Sequence, residues 1–296
     1  MACLTSFGKY THAVVRAIPE SLGQESAPVG EPGSPPTSPT HRRAAQEPVD
    51  LAKAHRQYGV YTGILRQKLG LQVIEIAANE ELPEAVLVED LAVVHGDTAL
   101  ITRPWAPSRR KEIDCVKKVL EELKLRVVEV AEETATLDGS DVLFTGREFF
   151  VGISKWTNHR GAEFVADTFR DFAVSTVPLS GNWHLKDFCS MAGPDTILLG
   201  SSDVARRALK TMEQLTDHHY ETLTVPDDAA ANCIYARVGQ KTSVLVHRSS
   251  EEFPESVQTF QKLPDYTLVP AACTEVAKLG GALSSCSLLI NKKLEL

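Results

Sequence analysis

The sequence lacks the features that mark several specialised classes of protein. Its six cysteines in 296 residues include no CxxC pair, so neither a structural zinc site nor a disulfide framework is expected. Such cysteine use indicates a reducing compartment. No apolar run reaches about 18 residues, the length that a membrane-spanning helix needs, and no secretory signal opens the chain. We therefore predict a protein without a membrane span.

Basic residues are also too few for a nucleic-acid-binding surface. The chain has 31 Lys and Arg against 39 Asp and Glu, a formal net charge of −8, so no nucleic-acid partner is predicted. Hydrophobic residues make up 43% and charged residues 24%, as in an ordinary soluble globular protein. A cytoplasmic location is predicted. A mitochondrial fraction stays open because no acidic residue precedes Glu20.

Residues 24–48 form a low-complexity segment that holds six prolines. A stretch of this composition buries too little apolar surface to order itself. We expect one domain over residues 1–296, with a flexible Pro/Ser-rich insertion at 24–48.

A recurring unit runs through the rest of the chain: a polar cluster, an apolar run, a turn and a second apolar run. Its copies begin at Asp90, Asp138, His184, Asn232 and Cys286, with spacings of 48, 46, 48 and 54 residues. A period of this size is typical of repeat or propeller architectures. If the copies share one fold, their leading residues meet at one central place.

A helical pattern and a further strand follow the apolar pairs. Hairpins joined to crossover helices give mixed sheets with helices outside. The sequence therefore predicts an α/β fold, a five-bladed propeller of ββαβ units around a central channel. Helices are predicted over residues 51–69, 109–123, 161–172, 203–215, 250–263 and 273–279.

A thiol, an imidazole and several carboxylates in one pocket restrict the chemistry. Carboxylates would repel the oxyanion that a cysteine protease forms, but they suit a cationic electrophile. A guanidinium fits, because its N–H groups match carboxylates in forked hydrogen bonds. The thiolate then attacks the central carbon, and the imidazole protonates the leaving amine.

Each of these residues also has a plain structural interpretation. Cys286 alone could be a buried core thiol, His184 a satisfied core histidine and Arg109 an exposed residue at a helix start. Trp156 could pack in the core or offer its π face to a cation. Only the common repeat favours a shared site.

Several long motifs in order resemble the dimethylarginine dimethylaminohydrolase family of the pentein superfamily. They are THAVVR (residues 11–16), VED (88–90), APSRR (106–110), ATLDG (135–139), FTGREFF (144–150) and the segment around Cys286. The stretch SKWTNHRGAE (154–163) looks like the second vertebrate isoform rather than the first.

The resemblance implies hydrolysis of asymmetric dimethylarginine and monomethylarginine to citrulline plus dimethylamine or methylamine. The reaction would pass through a covalent cysteine intermediate, need no cofactor and relieve inhibition of nitric oxide synthase, the implied functional partner. A homodimer is also expected. Two alternatives stay open: a pentein-fold binding or regulatory protein with weak or no turnover, and an enzyme that deiminates arginine itself.

The resemblance also assigns roles to individual residues. Cys286 would be the nucleophile and His184 the proton donor, and no metal is required, although zinc could inhibit at Cys286. Residues 22–27 correspond to a lid over the pocket. The remaining residues would bind substrate: Asp90 and Asp138 at the guanidinium, Glu89 in the pocket wall, Arg109 at the carboxylate and Glu84 at the α-amino group.

Three departures from the family pattern predict weaker methylarginine binding. Trp156 stands where the first isoform has a second carboxylate-binding arginine, and one charge-assisted hydrogen bond is worth about 1.5–3 kcal/mol, on the order of 10- to 100-fold in affinity. Glu84 replaces an aspartate, which lengthens that acid by one methylene. The Pro-rich insertion falls in the lid region.

Overall fold

A computed structural model describes residues 6–24 and 47–292. Most of the predicted Pro-rich insertion, and part of the predicted lid, lie outside these residues. Within them the strands are β1 (His12–Arg16), β2 (Gln72–Ile76), β3 (Ala92–His95), β4 (Thr98–Ile101), β5 (Arg126–Glu129), β6 (Val142–Phe144), β7 (Phe149–Ile153), β8 (Val174–Pro178), β9 (Cys189–Gly193), β10 (Thr196–Leu199), β11 (Glu221–Thr224), β12 (Ile234–Val238), β13 (Thr242–Arg248), β14 (Tyr266–Ala271) and β15 (Leu288–Ile290).

These strands form five sheets of three strands each in the described part of the chain. Their orders are β15-β1-β2, β3-β4-β5, β6-β7-β8, β11-β10-β9 and β12-β13-β14. In every sheet the middle strand pairs antiparallel with one neighbour and parallel with the other. A helix lies between the two parallel strands in the chain, which is a crossover connection. The predicted ββαβ unit is confirmed.

The first sheet differs from the others because it joins the two ends of the described chain. Strand β1 pairs antiparallel with β15, with Val14 opposite Leu288 and His12 opposite Ile290. The Thr11 hydroxyl reinforces the pair by donating to the carbonyl of Ile290. The hairpin of this unit is therefore assembled from two strands that no turn connects.

The helices begin and end where local hydrogen bonding allows. They are α1 (Leu51–Gly63), α2 (Ile113–Glu122), α3 (His159–Thr168), α4 (Asp203–Leu215), α5 (Pro254–Phe260) and α6 (Thr274–Ala277). Side chains of Asp50, Asn158 and Ser202 cap α1, α3 and α4 by accepting from backbone N–H groups. No helix among residues 6–24 and 47–292 has the length and apolar character needed to cross a bilayer.

Two predicted helices change their hydrogen-bond pattern along their length. The helix predicted over 51–69 continues past α1 as a π-helical turn, Ile64–Lys68. The one predicted over 109–123 starts as the 3-10 helix Pro107–Glu112 before α2 begins. Apolar periodicity marks the buried face of such segments, but it does not distinguish these variants of the helix.

Five short 3-10 helices form a ring where the units meet. Each one lies just before the strand that opens its hairpin, and neighbouring members contact one another. Asn232 and Ser284 complete the ring with two hydrogen bonds of 2.8 and 2.9 Å. The ring places the leading residues of the repeated unit near one another. Its members are Val88–Leu91, Gly139–Asp141, Leu185–Asp187, Asp228–Ala231 and Leu283–Cys286.

Gly139 is a contact point of this ring, and replacing it with alanine should destabilise the protein. A Cβ at Gly139 would lie 1.9 Å from the carbonyl oxygen of Glu89, so backbone would have to move, at a cost of about 1–3 kcal/mol. The matched control is Gly59→Ala in α1, where a Cβ meets no atom within 4 Å. That change should stabilise by about 0.5–1 kcal/mol. Urea unfolding measures both; equal stability of the two variants would contradict the ring contact.

Candidate functional site

Three side chains from three different units meet at the centre of the ring. Asp90, Asp138 and His184 are all buried, and each places a carboxylate oxygen or ring nitrogen within 4.8 Å of the others. They precede β3, β6 and β9 respectively. The convergence predicted from the repeat is therefore observed for two acids and the histidine.

Asp138 and His184 form the most direct pair. His184 Nε2 lies 3.0 Å from Asp138 Oδ2, and the backbone N–H of His184 donates to Asp187 Oδ2 at 2.6 Å. The second oxygen of Asp138, Oδ1, is buried and accepts no hydrogen bond from the described residues. An unmet acceptor of this kind costs about 1–3 kcal/mol. It suits an N–H donor carried by a ligand.

Asp90 is held as an anion beside this pair. Its Oδ2 accepts from Arg109 Nη1 at 2.6 Å, and its Oδ1 accepts from the backbone N–H of Ser140 at 3.2 Å. Burial raises the pKa of Asp90, but the charges of Arg109 and His184 lower it by a larger amount. The pKa of Asp90 therefore lies well below the usual range of an aspartate. The centre therefore keeps a negative charge at neutral pH.

Arg109 is bound within the protein through all three of its guanidinium nitrogens. Besides Asp90, it donates to the Glu112 carboxylate and to the carbonyl of Leu87, and only 1% of its surface is exposed. Burial lowers the pKa of Arg109, but Glu112 and Asp90 raise it more, to well above its ordinary value. Pairing of Arg109 with a substrate carboxylate stays a prediction, since in this structure its partners belong to the chain.

Glu84 lies close to Arg109. The Glu84 carbonyl accepts from Arg109 Nη2 at 3.5 Å, and its carboxylate charge contributes to the raised pKa of Arg109. The side chain is half-buried. This position is compatible with the predicted role at the substrate α-amino group, which stays a prediction.

Glu89 faces a different region from its neighbour Asp90. Its carboxylate binds Lys186 Nζ at 2.5 Å and the Ser284 hydroxyl at 2.9 Å. It lines a cavity of about 810 Å³ together with Lys186, Asn232 and Ser284, whereas the three central residues do not line it. Contact of Glu89 with substrate stays a prediction.

Cys286 ends the last 3-10 helix of the ring and is 5% exposed. It packs in an apolar cluster that also contains Tyr61 and Cys273. Burial, then the nearby Cys273 and Glu89, raise the pKa of the Cys286 thiol well above its ordinary value. Its sulfur is not among the central atoms that lie within 4.8 Å of one another. The resting group is therefore a protonated thiol.

The centre offers oxygen and imidazole donors of the kind that bind divalent metals. Asp90, Asp138 and His184 supply one such atom each, and zinc accepts these ligands as well as thiolate. The sulfur of Cys286 is outside the group, so inhibitory zinc at Cys286 stays a prediction.

Trp156 provides the contact that sequence reasoning identified least well. Its ring stacks on the His184 imidazole with centroids 4.2 Å apart and planes 20° from parallel, and it is 1% exposed. Of the two interpretations of Trp156, core packing and a π face for a cation, the structure shows packing, and the partner is the predicted catalytic group His184.

Sequence reasoning missed two further residues of the site. Lys186 pairs with Glu89, and Asp141 accepts hydrogen bonds from Ser154 and from the backbone of Leu185. Both lie two or three residues after a predicted site residue. That proximity in the chain was the available signal.

The chain is similar in sequence to known proteins. A family model described as eukaryotic N,N dimethylarginine dimethylhydrolase matches residues 40–289. DDAH2 of Homo sapiens is 53% identical over 289 residues, which cover 97% of this chain and 96% of that protein. The N(G),N(G)-dimethylarginine dimethylaminohydrolase of Pseudomonas aeruginosa is 25% identical over 241 residues, covering 81% and 89%.

A solved structure shares the fold. It is DDAH from Pseudomonas aeruginosa, a cysteine-to-serine mutant complexed with citrulline, and it matches with a TM-score of 0.78 at 22% identity. The match covers 95% of this chain and 100% of that one. The predicted α/β propeller fold class is confirmed.

Replacing Arg109 with methionine should lower the free energy of unfolding by about 3–5 kcal/mol at pH 7, because Asp90 and Glu112 lose their buried cation. The difference in free energy of unfolding between the parent and the Arg109→Met variant should become smaller below about pH 4. In the parent, the stability that comes from the depressed pKa of Asp90 is complete above its unfolded pKa and is lost as pH falls through the folded one.

The control for this prediction is Arg160→Met. Arg160 pairs with Glu132 at 2.6 Å and with Glu163, but 44% of its side chain is exposed. Its loss should cost at most about 1 kcal/mol. Urea unfolding at several pH values measures both variants, and equal losses would refute the special role of the buried pair.

Proposed function

The chain belongs to the dimethylarginine dimethylaminohydrolase family, and we propose on this basis that it hydrolyses asymmetric dimethylarginine and monomethylarginine to citrulline. Dimethylamine or methylamine is the second product. The observation that carries the proposal is the buried centre of Asp90, Asp138 and His184. The Pseudomonas aeruginosa protein named for this reaction, and the citrulline complex of that bacterium's DDAH, support it.

The guanidinium would bind between the two aspartates. Asp138 Oδ1 is a buried acceptor with no partner among the described residues, and Asp90 keeps its charge because Arg109 lowers its pKa. A planar cation with several N–H donors satisfies both groups at once. An anionic or neutral ligand would leave the negative charge of Asp90 without further compensation.

Cys286 and His184 would then carry the two chemical steps. The Cys286 thiolate adds to the guanidinium carbon, and the C–N bond to the methylated nitrogen breaks as His184 protonates the departing amine. Water next attacks the same carbon, His184 removes its proton, and the C–S bond breaks to release citrulline and the thiolate. Because the pKa of the resting thiol is raised, the bound cation must lower it before attack.

The amino-acid end of the substrate would lie toward Arg109 and Glu84. We propose that Arg109 pairs with the carboxylate and Glu84 with the α-amino group. Arg109 can do so only by exchanging one of its present partners, Glu112 or the carbonyl of Leu87. Breaking either hydrogen bond costs free energy of binding, and the sequence alone did not indicate this cost.

The wider role follows from the same proposal. Removal of methylarginines would relieve inhibition of nitric oxide synthase. A cytoplasmic location with a mitochondrial fraction, a homodimer and one domain with a flexible insertion at 24–48 also remain proposals.

A second candidate function is favoured by the position of the thiol. Cys286 is buried in an apolar cluster, has a raised pKa and lies outside the central group of donor atoms. A protein with this arrangement could bind methylarginines and turn them over weakly or not at all. Calorimetric binding of dimethylarginine without citrulline formation would favour this binding function.

Replacing Cys286 with serine should abolish citrulline formation from asymmetric dimethylarginine, because a serine hydroxyl is far less acidic than a thiol. Mass spectrometry of the product measures this. The matched control is Cys273→Ser, since Cys273 is a buried thiol in the same cluster and should retain activity. Citrulline formation by the Cys286→Ser variant would show that Cys286 is not the nucleophile. Parallel assays of the parent with unmethylated arginine distinguish arginine deimination from hydrolysis of methylarginines.

Replacing Trp156 with arginine should lower the KM for dimethylarginine about 10- to 100-fold, since it adds a charge-assisted hydrogen bond to the substrate carboxylate. The kcat should fall because the stack on His184 is lost. In the control Trp156→Phe an aromatic face remains, so the KM for dimethylarginine should equal that of the parent. Steady-state kinetics measures both, and an unchanged KM for the arginine variant would contradict substrate anchoring at this position.

A further inference from the structure

Asp141 is a fully buried acid that the proposed reaction does not use. It lies in the 3-10 helix Gly139–Asp141, three residues after Asp138, and has 0% exposure. Its Oδ1 accepts from the backbone N–H of Leu185 at 2.9 Å, and its Oδ2 accepts from the Ser154 hydroxyl at 2.6 Å. The Thr157 side chain also hydrogen-bonds to it. Asp141 therefore joins three segments of the site.

Each of these bonds is made to a segment that positions His184, Trp156 or Asp138. Leu185 follows His184 directly in the chain. The Ser154 hydroxyl accepts from the backbone N–H groups of Trp156 and Thr157 at 3.1 and 3.2 Å. Thr157 Oγ1 accepts from the backbone N–H of Asp138 at 3.1 Å. The stacked pair of Trp156 and His184 is thus held from both sides by one carboxylate.

The direction of these hydrogen bonds requires Asp141 to be an acceptor only. Ser154 already accepts two N–H groups, and Thr157 accepts one, so their hydroxyl protons are available for Asp141. A protonated acid or an amide at position 141 would bring a further donor into this group. At least one of the bonds to Leu185, Ser154 and Thr157 would then be lost.

The same carboxylate is unfavourable for folding when it is charged. Burial raises the pKa of Asp141 to about 6, although the charge of His184 and the hydrogen bonds lower it. Because the folded pKa exceeds the unfolded one, the folded state holds the proton more tightly. The free energy of unfolding therefore falls as pH rises from the unfolded pKa to the folded pKa of Asp141. At neutral pH, where Asp141 is ionised, this loss of stability is complete.

We propose that Asp141 is a positioning residue whose carboxylate keeps Trp156 stacked on His184 and so holds the imidazole in place for proton transfer. The inference rests on the proposed hydrolase function for its kinetic consequence. Its structural part, the dependence of the stack on Asp141, stands on the hydrogen bonds alone.

Other ionisable groups on the contacting segments have partners of their own. His184 bonds to Asp138, Lys186 pairs with Glu89, and Asp187 accepts from the backbone of His184. Lys155 lies over the rings of Trp105 and Trp156, at 4.7 and 5.8 Å from their centroids. Of these, His184 is the group whose titration must be separated from that of Asp141.

The first test is Asp141→Asn, which keeps the size of the side chain and removes its acceptor-only character. The kcat should fall about 10- to 100-fold, as expected when a catalytic group is misplaced, while KM changes little. The melting temperature at pH 7.5 should stay equal or rise, because the buried charge is gone. A lower melting temperature together with the lost activity would show a merely structural role and overturn the proposal.

The matched control is Asp227→Asn. Asp227 also accepts from a serine hydroxyl, Ser256, at 2.7 Å and also borders a 3-10 helix of the ring, but it contacts none of the central residues. Its kcat should stay within about twofold of the parent. An equal loss of kcat in this control would refute a special role for Asp141.

The second test is spectroscopic and does not depend on turnover. Trp105→Phe and Trp183→Phe leave Trp156 as the remaining tryptophan of three. Its fluorescence should change with a midpoint near the pKa of about 6 of Asp141. The transition should disappear after Asp141→Asn. After His184→Gln it should remain with its midpoint at higher pH, because the charge of His184 lowers the pKa of Asp141.

These outcomes separate the inference from the proposed function. If the parent forms no citrulline but the fluorescence transition depends on Asp141, the hydrolase proposal fails and the positioning of Trp156 stands. If the transition survives Asp141→Asn, the positioning proposal is wrong whatever the activity.

Discussion

Charge buried at the centre of the ring is the constraint on which the rest of the structure depends. An isolated buried ion costs several kcal/mol, so each one needs a partner. Here partners come from different units: Asp138 meets His184 at 3.0 Å, and Glu89 meets Lys186 at 2.5 Å. The units are therefore joined by a buried hydrogen bond and an ion pair as well as by apolar packing. The centre is both the proposed binding site for a cation and a place where the units are held together.

Burial is the main reason why the pKa of the Cys286 thiol is raised, and the nearby Cys273 and Glu89 raise it further. The thiol is therefore protonated at rest. A cationic substrate changes this balance by neutralising part of the charge. A pocket of this kind can therefore reserve thiolate formation for the moment when the cation is bound, which limits oxidation of the free enzyme.

The repeated unit could be predicted from the sequence because every copy uses the same turn before the same strand. That regularity placed Asp90, Asp138 and His184 close together, although Asp90 lies within its 3-10 helix and the other two lie just before theirs. Side-chain partnerships between units could not be predicted in this way. The stack of Trp156 on His184 and the bonds of Asp141 depend on how neighbouring units face each other, which no local pattern records. Arg109 illustrates the same limit. Its charge was evident from the sequence, but its hydrogen bonds to Asp90 and Glu112 depend on the three side chains being buried together.

The pairing of β1 with β15 has a consequence for the order in which the molecule can be completed. These strands are separated by nearly the whole described chain, and contacts of such high separation form late because the loop that they close is long. During synthesis the units between them can fold as they emerge, while β1 waits for its antiparallel neighbour. Cys286 lies two residues before β15. Cys286, the proposed nucleophile, therefore reaches its folded position in the same step that pairs β15 with β1, so an incompletely made chain lacks it there.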